Sequence, residues 1–231
     1  MGREEIFNRI RAALVDVTQA EPTVDVPIPG DTEGTAGDTM GTVLFVSSVG
    51  ESTVDTVELF TSRVLDYKAT VRRVTDSTQI PALVVEFLKE VRADSCVVPA
   101  GLEPLWYAEA QQAGVKVMVD DPPLSKEALD ACSAVLTAVC LGMAETGTMV
   151  LDHRAADQGR RIISLLPDTL ICVIRADQVL TDVPQAMAQL APLLQEGRPL
   201  TWISGPSATS DIELSRVEGV HGPRNLYVII Y

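Results

Sequence analysis

A chain of 231 residues with 46% hydrophobic and 22% charged residues has the composition of a globular protein with a sizeable core, not of a disordered one. The net charge of −14 leaves little basic surface: Arg72-Arg73 and Arg160-Arg161 are the only adjacent arginines, which argues against nucleic acid and anionic membrane as partners. Aromatic residues make up only 4%, so the core must come from Val, Leu, Ile and Ala, the composition of a parallel sheet buried on both faces.

Ile6, Phe7, Ile10 and Leu14 recur at helical spacing and predict a helix over residues 4–17. Glu21–Gly41 holds Pro22, Pro27, Pro29, Gly30, Gly34, Gly37 and Gly41, the chemistry of an extended connector. Residues 1–41 are therefore expected to form an appendage, and residues 42–231 the α/β domain proper. The start of the chain is charged from Arg3 onward, unlike a secretion signal, and no apolar stretch reaches the ~18–20 residues of a membrane span. A cytoplasmic location is expected.

From Thr42 the pattern alternates between strand and helix. Val43–Val49 reads as a buried strand, Val54, Val57, Phe60 and Val64 as a helix, and Val71–Val74 as extended. Thr78 is placed to cap a helix carrying Ile80, Leu83, Val84, Phe87, Leu88 and Val91 on one stripe. Cys96–Val98 is a short strand, Pro104–Ala113 a helix and Val115–Val119 a strand. This succession predicts a mostly parallel, right-handed sheet with helices on both faces. Further on, Ala134–Val139 and Thr148–Leu151 read as strands separated by a turn over Leu141–Gly147. A helix is expected over Ala156–Leu165 and a strand over Leu170–Ile174. Asp182 and Pro184 make a cap and first turn for a helix that Pro192 should end or kink. Leu200–Ile203 and Leu226–Ile230 are the last strands.

Cys96, Cys132, Cys140 and Cys172 are scattered, with no C-x-x-C, and read as buried thiols rather than ligands of zinc or of an iron–sulfur cluster. Neither histidine has a second one at metal spacing. No G-x-G-x-x-G follows the first strand and no G-x-x-x-x-G-K-[ST] occurs, so neither a dinucleotide fingerprint nor a P-loop is supported. No metal and no cofactor is expected on this chain.

Three turn-rich segments carry the candidate chemistry. In Glu145-Thr146-Gly147-Thr148 the glycine allows successive N–H groups to face inward as an anion-binding nest, with the Glu145 carboxylate beside it; the alternative is a connecting turn with a solvated Glu. Ser204–Glu213 follows a strand, which would place Gly205, Ser207, Asp211 and Glu213 at the carboxyl edge of the sheet, where open α/β sheets bind ligands. The competing reading is a capped turn in which Ser207 or Ser210 satisfies backbone N–H groups. Glu218–Arg224 presents His221 as acid, base or oxyanion donor, with Arg224 as an anion partner. His153 has less turn chemistry around it and is the weaker of the two histidines. Glu145, Asp211, Glu213 and His221 are thus the catalytic candidates. Thr146, Gly147, Thr148, Gly205, Ser207 and Arg224 are the anion- or ligand-binding candidates.

Four motifs in order, Glu145-Thr146-Gly147-Thr148, Gly159-Arg160 with Ser164-Leu165-Leu166-Pro167, Ser204-Gly205-Pro206-Ser207 with Asp211-Ile212-Glu213, and Gly219-Val220-His221-Gly222-Pro223, resemble the LUD domain, and within it the lactate-utilisation protein C (LutC/YkgG) type. The likeness is best over residues 130–231. It implies a NagB/RpiA/CoA-transferase-like α/β fold. It also implies a cluster-free subunit or accessory factor in L-lactate oxidation to pyruvate, working with partner proteins that carry iron–sulfur clusters. The candidate segments would then line one cleft for a small carboxylate or its carrier, or dock a partner. Two further readings stand beside it: an independent enzyme of the CoA-transferase or sugar-phosphate isomerase type using Glu145, and a non-catalytic interaction module.

Overall fold

The computed structural model describes residues 53–210, 216–218 and 222–231, all within the unit Ser48–Tyr231. The expected helix at 4–17, the connector Glu21–Gly41 and the strand Val43–Val49 lie outside the described residues, as do Asp211, Glu213 and His221. In chain order the first elements are α1 (Thr53–Asp66), β1 (Thr70–Arg73), α2 (Ile80–Glu90), β2 (Ser95–Val98), α3 (Leu105–Gln112) and β3 (Lys116–Val119). Then come α4 (Lys126–Asp130), β4 (Ala134–Ala138), β5 (Leu141–Met143), β6 (Thr148–Asp152), β7 (Thr169–Ile174) and β8 (Val179–Leu180). The last are α5 (Val183–Gln195), β9 (Leu200–Ile203), β10 (Ala208–Ser210), β11 (Arg216–Glu218) and β12 (Asn225–Ile230).

Six strands form one parallel sheet in the order β1-β12-β7-β4-β2-β3. The apolar runs that build it are buried on both faces, and their residues divide by the two-residue period of a strand. Leu170, Cys172 and Ile174 with Leu226, Val228 and Ile230 face α1 and α4 on one side. Ile171, Val173, Tyr227 and Ile229 face α2 and α3 on the other. The expectation of helices on both faces of a mostly parallel sheet is met.

A second, four-stranded sheet, β8-β5-β6-β9, is mostly antiparallel. It is sandwiched between the first layer and α5. Met149 and Leu151 point into the main core, while Leu141, Met143 and Val150 pack against Ala186 and Leu190 of α5. Gly142 makes that close approach possible: a Cβ there would lie 3.0 Å from Ile174 Cδ1 and 3.2 Å from the Phe60 ring. The segment Leu141–Gly147, expected as a turn throughout, is therefore β5 followed by a shorter turn.

Three other expectations are corrected. Residues 156–165 do not form a helix: the carbonyls of Ala156 and Asp157 accept from Gly101 N–H (2.9 Å) and Ala138 N–H (3.2 Å), and Gly159 takes φ 69°. With those acceptors turned outward the helical ladder cannot form, and only a 3-10 turn, Arg161–Ser164, remains. Thr78 is not the cap of α2; Asp76 is the capping side chain, accepting from Thr78 N–H ahead of the 3-10 turn Ser77–Gln79. Pro192 does not stop α5, which runs on to Gln195, because one proline removes only its own donor; Glu196 N–H still reaches the Pro192 carbonyl.

Strand order reverses between β2 and β4, the usual place for a ligand crevice beyond the carboxyl ends. Here the chain fills that crevice itself with the segment that carries Ala156, Asp157 and Gln158. A Cβ added to Gly101 would lie 2.6 Å from Ala156 Cβ, and Thr137 Oγ1 lies 3.3 Å from both the Asp157 and Gln158 carbonyls. An open cavity lies at the opposite edge.

Candidate functional site: a cavity at the amino edge of the sheet

Leu170 and Leu226, the second residues of β7 and β12, form the apolar floor of a cavity of about 280 Å³. Its walls are Arg161 and Ser164 from the 3-10 turn with Leu165 just after it, Thr201–Ser207 from β9 and its exit, and Gly222-Pro223 leading into β12. The loop after β9 was expected at the carboxyl edge of the parallel sheet. β9 instead belongs to the antiparallel sheet, pairing only with β6, so its exit delivers Ser204–Ser207 to the amino ends of β12 and β7.

Local chemistry explains the loop. Gly205 has φ 96°, and a Cβ there would sit 2.6 Å from Tyr67 Cβ at the end of α1, so only glycine fits. Ser207 N–H donates to the Pro223 carbonyl at 2.8 Å and ties the two loops of the cavity together. Ser204 Oγ lies 2.7 Å from Thr148 Oγ1, which joins the loop to the start of β6.

The structure thus brings Gly205 and Ser207 to the cavity wall and Thr148 directly behind it. Thr146 and Gly147 lie in the β5–β6 turn, where Gly147 (φ 57°) packs on Arg63 and Val64 of α1. The N–H groups of Glu145 and Gly147 already donate, to the carbonyls of Thr181 (3.0 Å) and Ala144 (3.3 Å). The Glu145 side chain is exposed. The Thr146 hydroxyl is buried and has no hydrogen-bond partner among the described residues. Arg224, next to the cavity residue Pro223, is exposed and lies 3.6 Å from Asp168.

Adjacent arginines have opposite roles. Arg160 makes a bidentate pair with Asp120, Nε to Oδ2 and Nη2 to Oδ1, both 2.7 Å, and also donates to the Leu124 carbonyl at 3.1 Å. Burial pushes the Asp120 carboxyl up, but the Arg160 bonds and the Leu124 N–H outweigh it and hold the group below the usual carboxylate range. Arg161 has no ion-pair partner among the described residues and lines the cavity. A guanidinium whose fork is unoccupied among the described residues, two serines on the same cavity lining and an apolar floor fit a small molecule bearing one carboxylate. In the sequence Arg161 is only one of an adjacent pair, because nothing in its spacing distinguishes a locked arginine from one that faces a cavity.

The cysteines behave as buried thiols. Cys96, Cys132 and Cys172 are buried and Cys140 is partly so; burial raises all four, Cys172 to about 12.

Fold and cavity together define a parallel-sheet α/β protein with a cavity at the amino edge of the sheet. The chain belongs to the LUD domain family, which it matches over residues 57–231. It is similar to lactate utilization protein C of Deinococcus radiodurans, 47% identical over 78% of this chain and 81% of that protein. It is also similar to the uncharacterized protein YkgG of Escherichia coli, 32% identical over 68% of this chain and 71% of that one. A crystal structure of a DUF162 family protein from Deinococcus radiodurans superposes with a TM-score of 0.66 at 40% identity, over 78% of this chain and 99% of that one.

Proposed function

We propose that the chain acts in lactate utilisation as a cluster-free component of a system that oxidises L-lactate to pyruvate, and that the amino-edge cavity binds the small carboxylate. The names carried by its relatives support the role. The observation that carries the site is Arg161: an arginine with no acidic partner among the described residues, at a cavity that Ser204 and Ser207 also line. Partner proteins with iron–sulfur clusters would supply the electron acceptor, and the expected setting is the cytoplasm. Among the described residues no helix is long and apolar enough to cross a membrane.

A cavity of about 280 Å³ corresponds to roughly nine waters at about 30 Å³ each. That is room for a three-carbon acid with some of its water, near the low end of ligand pockets. The test is calorimetric titration of the full chain with pyruvate and with L-lactate. Charge-assisted hydrogen bonds contribute about 1.5–3 kcal/mol, so Arg161→Gln is expected to weaken binding by about tenfold or more while leaving the thermal midpoint close to wild type. Equal affinity in the two proteins would remove Arg161, and with it the small-carboxylate assignment.

A further inference from the structure

We propose that His153 is a positioning residue for this cavity and that, together with Thr201, it makes anion binding there proton-linked. The inference rests on the reading of the cavity as an anion site. His153 directly follows β6 and is partly buried, with Nδ1 3.0 Å from the Gly159 carbonyl and Nε2 2.7 Å from Thr201 Oγ1. A carbonyl only accepts, so Nδ1 carries the proton of the neutral ring. Nε2 then accepts, and the Thr201 hydroxyl donates to it. One imidazole therefore ties the cavity residue Thr201 on β9 to Gly159, two residues ahead of the cavity residue Arg161.

Protonation changes one bond in a directed way. Nε2 becomes a donor, Thr201 Oγ1 becomes its acceptor, and the hydroxyl proton is released to turn towards a new acceptor. Thr201 lines the cavity, so a bound carboxylate is such an acceptor. Among the described residues the charged groups facing the ring are Arg161, from the 3-10 turn, and Asp152, from the end of β6. Asp152 is engaged elsewhere: its Oδ2 accepts from Arg198 Nη1 at 2.6 Å and its Oδ1 from Arg154 N–H at 3.0 Å. With the cavity empty, burial first and Arg161 after it disfavour the imidazolium, outweighing the Gly159 carbonyl and Asp152 and holding the ring below the ordinary histidine range. A carboxylate on Arg161 offsets its repulsion and gives Thr201 its new acceptor. Proton and anion then bind together, and by reciprocity each strengthens the other.

The test is an NMR titration of the imidazole in the full chain, with and without saturating pyruvate, which stays ionised throughout. The chain has two histidines, so His153 is identified by the signal that His153→Gln removes. Pyruvate is expected to raise the His153 midpoint, and to bind about fivefold more tightly near pH 5.5 than near pH 7.5, a coupling within the usual range for linked sites. The profile should be flat in His153→Gln, and equally in Thr201→Val, the variant to use if His153→Gln does not fold. Arg161→Glu places a carboxylate beside the ring without any ligand and should also raise the midpoint. An unchanged midpoint in Arg161→Glu overturns the coupling, whether or not pyruvate binds. The same pH profile in wild type and His153→Gln overturns it too. A raised midpoint in Arg161→Glu with no pyruvate binding at any pH supports the coupling and discards pyruvate as the ligand.

Discussion

At the scale of single residues, the Asp120–Arg160 pair holds the segment after β3 against the segment that precedes the cavity. Its contribution is pH-dependent with a definite sign. The Asp120 carboxyl lies lower in the folded chain than in the unfolded one, so the unfolded state takes up the proton first as pH falls. The stabilisation is therefore complete above the unfolded value of about 3.9 and is lost as pH falls through the folded one. Asp120→Asn removes the charge and one acceptor, and should cost roughly 1–3 kcal/mol at neutral pH. Urea unfolding at several pH values checks this: the gap between the two proteins should be constant from about pH 5 to 8 and narrow below about pH 4. A gap that persists undiminished into acid would mean that the pair acts through shape rather than charge. Arg161, one residue along, shows why such roles are hidden in sequence. Two identical side chains in adjacent positions differ only in what β3 brings to one of them.

Among the elements, the parallel sheet was legible and the antiparallel one only by half: Thr148–Leu151 and Leu200–Ile203 read as strands and are β6 and β9, whereas β5 and β8 did not show. Leu170–Ile174 and Leu226–Ile230 are unbroken apolar runs because both faces of the central sheet are covered. β5 has only Leu141, Gly142 and Met143, and β8 has two residues, too few for any period to show. The site was legible by halves for the same reason. Gly205 and Ser207 stood out as turn chemistry, but their position at the amino edge follows from β9 pairing with β6, a long-range fact that strand-by-strand reading does not contain. Gly142 is the residue on which the second sheet depends. Its missing Cβ would meet Ile174 at 3.0 Å and Phe60 at 3.2 Å, both buried in the main core. Gly142→Val adds three carbons there and should destabilise by about 2–3 kcal/mol. In hydrogen exchange, amides of β5 and β6 should lose protection before those of β4 and β7. Uniform loss across both sheets would show that the layers open as one unit.

For the whole molecule, the dominant electrostatic fact is 32 acids against 18 basic residues. Seven arginines make ion pairs within the described residues, which leaves a large excess of carboxylates to repel one another. At about 0.01 M salt the screening length is ~30 Å, and at about 0.15 M it is ~8 Å. A domain of about 200 residues has a radius of gyration of roughly 16 Å. In dilute buffer every carboxylate therefore senses the others across the molecule, and at higher ionic strength only its neighbours. The repulsion is stronger in the compact state than in the expanded one, so screening should stabilise the fold. The urea midpoint at pH 7.5 is expected to rise between about 0.01 and 0.15 M sodium chloride, by the equivalent of about 1 kcal/mol. A falling midpoint would show that local pairs such as Asp120–Arg160 and Asp152–Arg198, which the same salt weakens, outweigh the net charge. Replacing part of the chloride by pyruvate at fixed ionic strength separates screening from occupancy. Screening depends on ionic strength alone, whereas binding at Arg161 adds stability that rises with pyruvate and vanishes in Arg161→Gln.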